Sequence, residues 1–132
     1  MKLHYVPLFL LMYLVPAVSL ADPIDKVAEL MRQGNIHELS KLFAANVEIT
    51  ILGGETVSNA QAQLILGKFF DENKPKSVKI LHKINSNANY RLGVLIMNTN
   101  KDAFRISFTL KQTGENLTII EFRIEKAKVG SP

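Results

Sequence analysis

The sequence predicts an α+β domain in which helices come first and an antiparallel sheet follows. Over 22–43 and again over 58–72, apolar residues recur every three or four positions, which is the helical period. From residue 77 onward, apolar and polar residues alternate in four runs, which is the strand period. Short links rich in asparagine or glycine separate these runs, and such links join neighbouring antiparallel strands.

The first 21 residues have the features of a secretory signal peptide. A short start containing Lys2 leads into an uncharged apolar run, and Ser19 and Ala21 place small residues where a signal peptidase recognises them. Two prolines shorten the apolar run well below the ~20 residues that a membrane-spanning helix needs. We therefore predict cleavage after Ala21, no stable membrane anchor, and a periplasmic or secreted protein.

Removal of this segment leaves 111 of the 132 residues, which is the length of one domain. We predict a single domain over 22–127 and a disordered tail over 128–132. The sequence contains no cysteine, which excludes disulfides, thiolate metal sites and a lipid anchor on a cysteine.

The charge of the chain excludes a nucleic-acid partner. The net charge is only +4, and no concentrated basic face is present. Lys74, Lys76, Lys79 and Lys83 form the nearest approach to one. We interpret them as protection of an exposed strand edge, with binding to an anionic surface as the alternative.

Helix boundaries are marked by local signals. Asp22 and Pro23 suit a helix N-terminus, and Gly34 suits its end. Asn35 with Glu38 resembles a capping box that opens a short second helix reaching Phe43.

A strand over 47–51 follows, then an extended piece at 55–57. Ser58 with Gln61 predicts a capped third helix. The apolar stripe of this helix contains Ala62, Ile65, Leu66, Phe69 and Phe70.

The last four strands are predicted at about 77–85, 90–98, 103–112 and 117–126. A three-residue loop over 114–116 sets Arg105 opposite Glu125, a favourable pair, whereas a shift by one residue turns one apolar set to the wrong face. In this register Ile106, Phe108 and Leu110 face Ile124, Phe122 and Ile120. The stripe of the third helix covers this face.

This order of elements resembles the nuclear transport factor 2-like, or cystatin-like, cone fold. The stretches DPIDKVAEL at 22–30, HELSKLF at 37–43, KSVKILH at 76–82 and FRISFTL at 104–110 are similar to those of an uncharacterised family of exported bacterial proteins within that superfamily. The resemblance implies a curved sheet wrapped around the N-terminal helices and a long third helix. The superfamily contains isomerases, dehydratases and cyclases as well as binding modules, so the fold leaves the function open.

An apolar pocket inside the cone is the main candidate site. Its predicted lining is Ile65, Phe69, Phe104, Ile106, Phe108 and Phe122. None of these side chains ionises, which favours binding of a small apolar ligand over catalysis.

His82 and Tyr90 are the candidates for the alternative, an isomerase or lyase. His82 shares its strand phase with Val78, Ile80 and Ile84, which favours an inward orientation, where an imidazole is a suitable general base. The favoured alternative is a core or rim histidine that hydrogen-bonds to the backbone. We predict no metal site, because His37 and His82 lack ligand spacing, and no cofactor.

The outward face of the sheet is the candidate dimer interface. Leu95, Met97, Leu117 and Ile119 are predicted to share this face, and a contiguous exposed apolar patch indicates a partner. The alternative is that the first two helices or the tail cover this face. The sequence therefore predicts an exported, non-enzymatic binding or assembly module with an apolar cone pocket, and it leaves open whether the sheet face forms a homodimer or is covered within one chain.

Overall fold

The structure, a computed structural model, describes residues 22–53, 58–87 and 89–127. The predicted signal peptide, the extended piece at 55–57 and the predicted tail at 128–132 lie outside the described residues.

Within these ranges, three helices and five strands follow one another in the predicted order. They are α1 (Pro23–Gln33), α2 (Ile36–Ser40), β1 (Phe43–Ile51), α3 (Asn59–Glu72), β2 (Pro75–Asn87), β3 (Tyr90–Thr99), β4 (Ala103–Thr113) and β5 (Asn116–Lys126). The sheet order is β1-β5-β4-β3-β2. The meander β2 to β5 is antiparallel, and β1 pairs with β5 in parallel.

The ends of the first two helices follow from their capping residues. The Asp22 carboxylate accepts a hydrogen bond from the Ile24 N–H, and Gly34 closes α1 with a φ of 67°. The Asn35 side chain accepts from Glu38 N–H at the start of α2. Two details differ from expectation: Phe43 begins β1 rather than ending α2, and Ser58 makes no side-chain cap bond.

The β4–β5 register is confirmed over the strand centre. Phe108 pairs with Phe122, and Arg105 with Glu125. Nearer the hairpin, Thr109 pairs with Glu121 but Leu110 pairs with Ile119, so Ile120 is an extra residue in a bulge. The hairpin loop is therefore two residues long, not three, and Leu117 and Ile119 turn to the face predicted for Ile120.

The core lies between the inner face of the sheet and the helices. Each helix and each strand contributes at least one side chain to a single buried cluster. Alternate residues of β1 and β5 extend this face, since Ile49 pairs with Phe122 and Ile51 with Ile124. Glu48 and Thr50, whose orientation the sequence left open, lie on the outer face opposite Glu121 and Arg123.

Strand β2 is an edge strand bent by irregularities. Its thirteen residues pair with the ten of β3 through three register shifts. Bulges and lysines both hinder another strand from adding to an edge. Lys76, Lys79 and Lys83 lie on this strand, in agreement with their interpretation as edge protection.

Candidate functional site

The centre of the cone is filled by packed aromatic rings. The Phe69 and Phe104 ring centroids lie 5.0 Å apart, and those of Phe108 and Phe122 lie 6.3 Å apart. Phe43 joins Phe122 edge to face. Edge-to-face and offset contacts at these distances are typical of a dense core.

Most of the predicted pocket lining therefore belongs to the core. Phe104, Ile106, Phe108 and Phe122 are each at most 2% exposed. Ile65, in contrast, is 38% exposed to solvent. It lies at the margin of the apolar stripe of α3, whereas the buried residues Leu66 and Phe70 lie at the centre of that stripe. The prediction that these six residues line a pocket is therefore wrong: Ile65 lies outside the core, and the other five, including Phe69, pack into it.

An apolar cavity of about 220 Å³ opens at one end of the cone instead. We call it the mouth pocket. Its walls come from α1, from the segment before β1, and from the ends of β4 and β5. The lining residues are Pro23, Lys26, Val27, Leu42, Leu110 and Leu117.

The bulge in β5 creates this pocket wall. Leu117 was predicted on the outer dimer face, but the extra residue Ile120 reverses the strand phase and turns Leu117 inward beside Leu110. Strand alternation alone gave no signal for this, because Leu117, Ile119 and Ile120 are all apolar. The apolar spacing of α1 did place Val27 on its inner face, whereas Lys26 carried no sequence signal.

Lys26 is the single ionisable side chain among the six lining residues. Within residues 22–53, 58–87 and 89–127, no carboxylate forms an ion pair with it. Its neighbours Asp22 and Asp25 contact Lys83 Nζ at 3.4 and 3.0 Å. The Lys26 ammonium therefore remains available at the rim of an apolar cavity.

The Lys83 contacts also attach α1 to the edge strand. The hydrogen bond to Asp25 raises the pKa of Lys83 above the ordinary lysine value. A similar hydrogen bond from Lys41 lowers the pKa of Glu38. Both groups are exposed, so these ion pairs contribute little stability.

His82 does not point into the cone. Ile80 pairs with Leu95 and His82 pairs with Val94, so Leu81 is an extra residue and the phase of β2 reverses after it. His82 is exposed on the outer face. Its predicted inward orientation is wrong.

Tyr90 does not lie beside His82 either. It begins β3 four residues before Val94, the partner of His82, which is about 13 Å along the strand at ~3.3 Å per residue. The structure thus separates the two residues that the isomerase or lyase hypothesis combined. Among the described residues, no group of three or more His, Asp or Glu side chains is placed to hold a metal ion.

The outer face of the sheet does carry apolar residues, but they are not the ones predicted. Leu95, Met97 and Ile119 are fully buried in the core. Both phases of β3 are apolar, and pairing of Leu95 with Ile106 selects the odd-numbered set for the interior. The outer face carries what we call the outer strip: Ile84, Leu92, Val94 and Ile96.

The outer strip is partly exposed. Ile84 is 44% exposed, Leu92 and Ile96 are half-buried, and Val94 is buried without belonging to the core cluster. Within the described part of the chain, no helix is long and apolar enough to cross a membrane.

Comparison with known proteins places the sequence in a family. Residues 24–125 match the family described as a domain of unknown function, DUF4783, and the chain belongs to that family. A search of curated proteins found no match.

Solved structures agree with this placement. A DUF4783 family protein from Bacteroides uniformis has a TM-score of 0.75 at 20% identity, over 81% of this chain and 99% of that one. One from Bacteroides ovatus has a TM-score of 0.73 at 23% identity, over 77% and 93%. A nuclear transport factor 2-like protein from Cytophaga hutchinsonii has a TM-score of 0.60 at 14% identity, over 78% and 91%. The cone fold predicted from the order of elements is confirmed.

Proposed function

We propose that this protein is an exported, non-enzymatic binding module that holds a small, largely apolar molecule in the mouth pocket. The observation that carries the proposal is the apolar cavity above a solidly packed core. Its volume of about 220 Å³ lies below the ~300 Å³ at which drug-sized pockets begin. The ligand is therefore about the size of one aromatic ring or a short aliphatic chain.

The pocket chemistry favours holding a molecule over transforming it. Proton transfer in a catalytic site needs a positioned acid or base, and Lys26 is the single ionisable group in this lining. At the rim, its ammonium would contact a polar end of the ligand.

Binding is tested with indole and toluene, followed through the methyl NMR signals of Val27, Leu42 and Leu110. We expect saturable shifts of these signals. Leu117→Trp should weaken binding at least tenfold, because the larger side chain fills the cavity. The matched control is Leu64→Trp, since Leu64 is 77% exposed on α3 and does not line the mouth pocket. Absence of saturable shifts, or equal effects of the two substitutions, would refute the proposal.

Export rests on the sequence of residues 1–21. When the full chain is expressed in a bacterium with a periplasm, we expect intact-mass measurement of the processed protein to place its N-terminus at Asp22. Ala21→Arg should block processing, whereas Val18→Leu should not. An unprocessed cytoplasmic product would contradict export.

A homodimer is the second candidate function, and the outer strip favours it. An exposed apolar patch on a sheet indicates a docking surface. The bulged, lysine-bearing β2 edge hinders edge-to-edge pairing, so a second copy would pack face to face across the strip. Charges of both signs border the strip, including Arg105 and Glu125, which suits a self-complementary contact.

A further inference from the structure

A second cavity, of about 440 Å³, lies on the helical side of the molecule. We call it the helix-end cleft. It is formed where α1 ends, α2 begins, and the last turn of α3 leads into β2. It shares no lining residue with the mouth pocket.

Gly67 opens one wall of this cleft. It lies inside α3, where glycine is less favourable than alanine. Its φ is not positive, and a Cβ added there would meet no atom within 4 Å. Neither backbone conformation nor crowding within this fold therefore requires glycine at position 67. A molecule lying against the helix would require it, because only glycine lets a ligand approach the backbone so closely.

Two opposite charges line the same cleft. Within the three described ranges, neither Asp71 nor Lys74 forms an ion pair. The third charged lining residue, Arg32, is already engaged: it pairs with Glu29 and donates to the Val78 carbonyl oxygen at 2.9 Å. The available charges are thus one carboxylate and one ammonium.

The backbone around these charges is held in place. Lys74 N–H donates to Asn100 Oδ1 at 3.1 Å, and Asn100 N–H donates to the Lys74 carbonyl oxygen. The Asn73 side chain donates to the Phe69 carbonyl oxygen at the end of α3. Half-buried Ile36 and the small exposed part of Phe70, which is 5% exposed, supply the apolar surface of the same cleft.

We propose that the helix-end cleft binds a small zwitterion of the amino-acid type with an apolar side chain. The ligand ammonium pairs with Asp71, its carboxylate pairs with Lys74, and its side chain lies on Phe70 and Ile36 above Gly67. This site is independent of the proposed mouth-pocket function.

The test compares leucine with two analogues that each lack one charge: 4-methylpentanoate, without the amine, and 3-methylbutylamine, without the carboxylate. Titrations of the mature protein should show saturable binding of leucine. Each analogue should bind at least tenfold more weakly. Asp71→Asn should weaken leucine binding without weakening 4-methylpentanoate binding, and Lys74→Gln should weaken leucine binding without weakening that of the amine.

Two substitutions on α3 distinguish a loss of binding in the cleft from a general effect on the helix. Gly67→Leu should abolish leucine binding, because Gly67 lines the cleft and the new side chain would occupy it. The protein should stay folded, because a Cβ at this position meets no neighbouring element within 4 Å. Gln63→Leu, exposed on the same helix, is the matched control and should bind leucine normally. Leu117→Trp should also leave leucine binding unchanged, which separates this proposal from that for the mouth pocket. The proposal would be overturned if leucine showed no saturable binding, if the two analogues bound as tightly as leucine, or if the Gly67→Leu variant bound leucine normally.

Discussion

Gly93 and Gly67 differ in what surrounds them. A Cβ added at Gly93 would lie 2.5 Å from Phe108 Cζ, far inside van der Waals contact. Phe108 is fully buried in the core and cannot move aside without displacing Phe122. The close approach of the Phe108 ring therefore requires glycine at position 93. Nothing within the fold requires glycine at position 67.

Gly93→Ala should therefore destabilise the protein by about 1–3 kcal/mol, the usual cost of overpacking a core. The free energy of unfolding is measured by urea denaturation. Gly67→Ala is the matched control, and it should stabilise α3 by up to about 1 kcal/mol. Equal unfolding free energies for the two variants would contradict this account of Gly93.

At the scale of the element, β2 shows how one extra residue redirects a strand. Before Leu81, Val78 and Ile80 lie on the inner face with Met97 and Leu95. After it, Lys83 is on the inner side and contacts α1. His82 and Ile84 are on the outer face.

Two isoleucines of β2 test this reversal of phase. Ile80→Ser should destabilise the protein by about 1–2 kcal/mol, because Ile80 packs against the core. Ile84→Ser, 44% exposed on the outer face, should change stability by less than about 0.5 kcal/mol in dilute solution. The two values come from thermal or urea unfolding. Similar losses of stability in the two variants would mean that β2 continues past Leu81 without a bulge.

At the scale of the whole molecule, the two faces of the sheet differ in what they leave exposed. The inner face is sealed by the phenylalanine core except at the mouth pocket. The outer face carries the outer strip. Within the described ranges, no helix or strand covers this strip well enough to bury Ile84, which is 44% exposed.

Since we propose the outer strip as a dimer interface, the protein lacking residues 1–21 should sediment as a dimer. Ile84→Glu combined with Ile96→Glu should shift it to a monomer, because two carboxylates would then face apolar surface across the interface. Leu64→Glu places the same charge on an exposed leucine of α3 and should leave the dimer intact. A wild-type monomer, or loss of the dimer through Leu64→Glu, would refute the outer strip as the interface.

Features that depend on neighbours in the chain were predictable from the sequence. Asp22, Pro23 and Gly34 mark the ends of α1 because a cap acts within a few residues of itself. The pairing of Phe108 with Phe122 followed from a short hairpin in which register and charge pairing agree. The α+β class and the order of elements were predicted in the same way.

The tertiary structure decided which side of each strand faces the core. Leu92, Val94 and Ile96 are as apolar as Leu95 and Met97, so only pairing with β4 chose between the two sets. The extra residues Leu81 and Ile120 then reversed the phases of β2 and β5, which moved His82 outward and Leu117 inward. Both bulges lie between neighbouring strands of the meander, but their positions depend on how the paired strands pack against the core, which local sequence does not show. A one-residue change in register moves every following side chain to the other face. For this reason the sequence by itself determined the cone, while the position of its pocket and its outer apolar face depended on the assembled sheet.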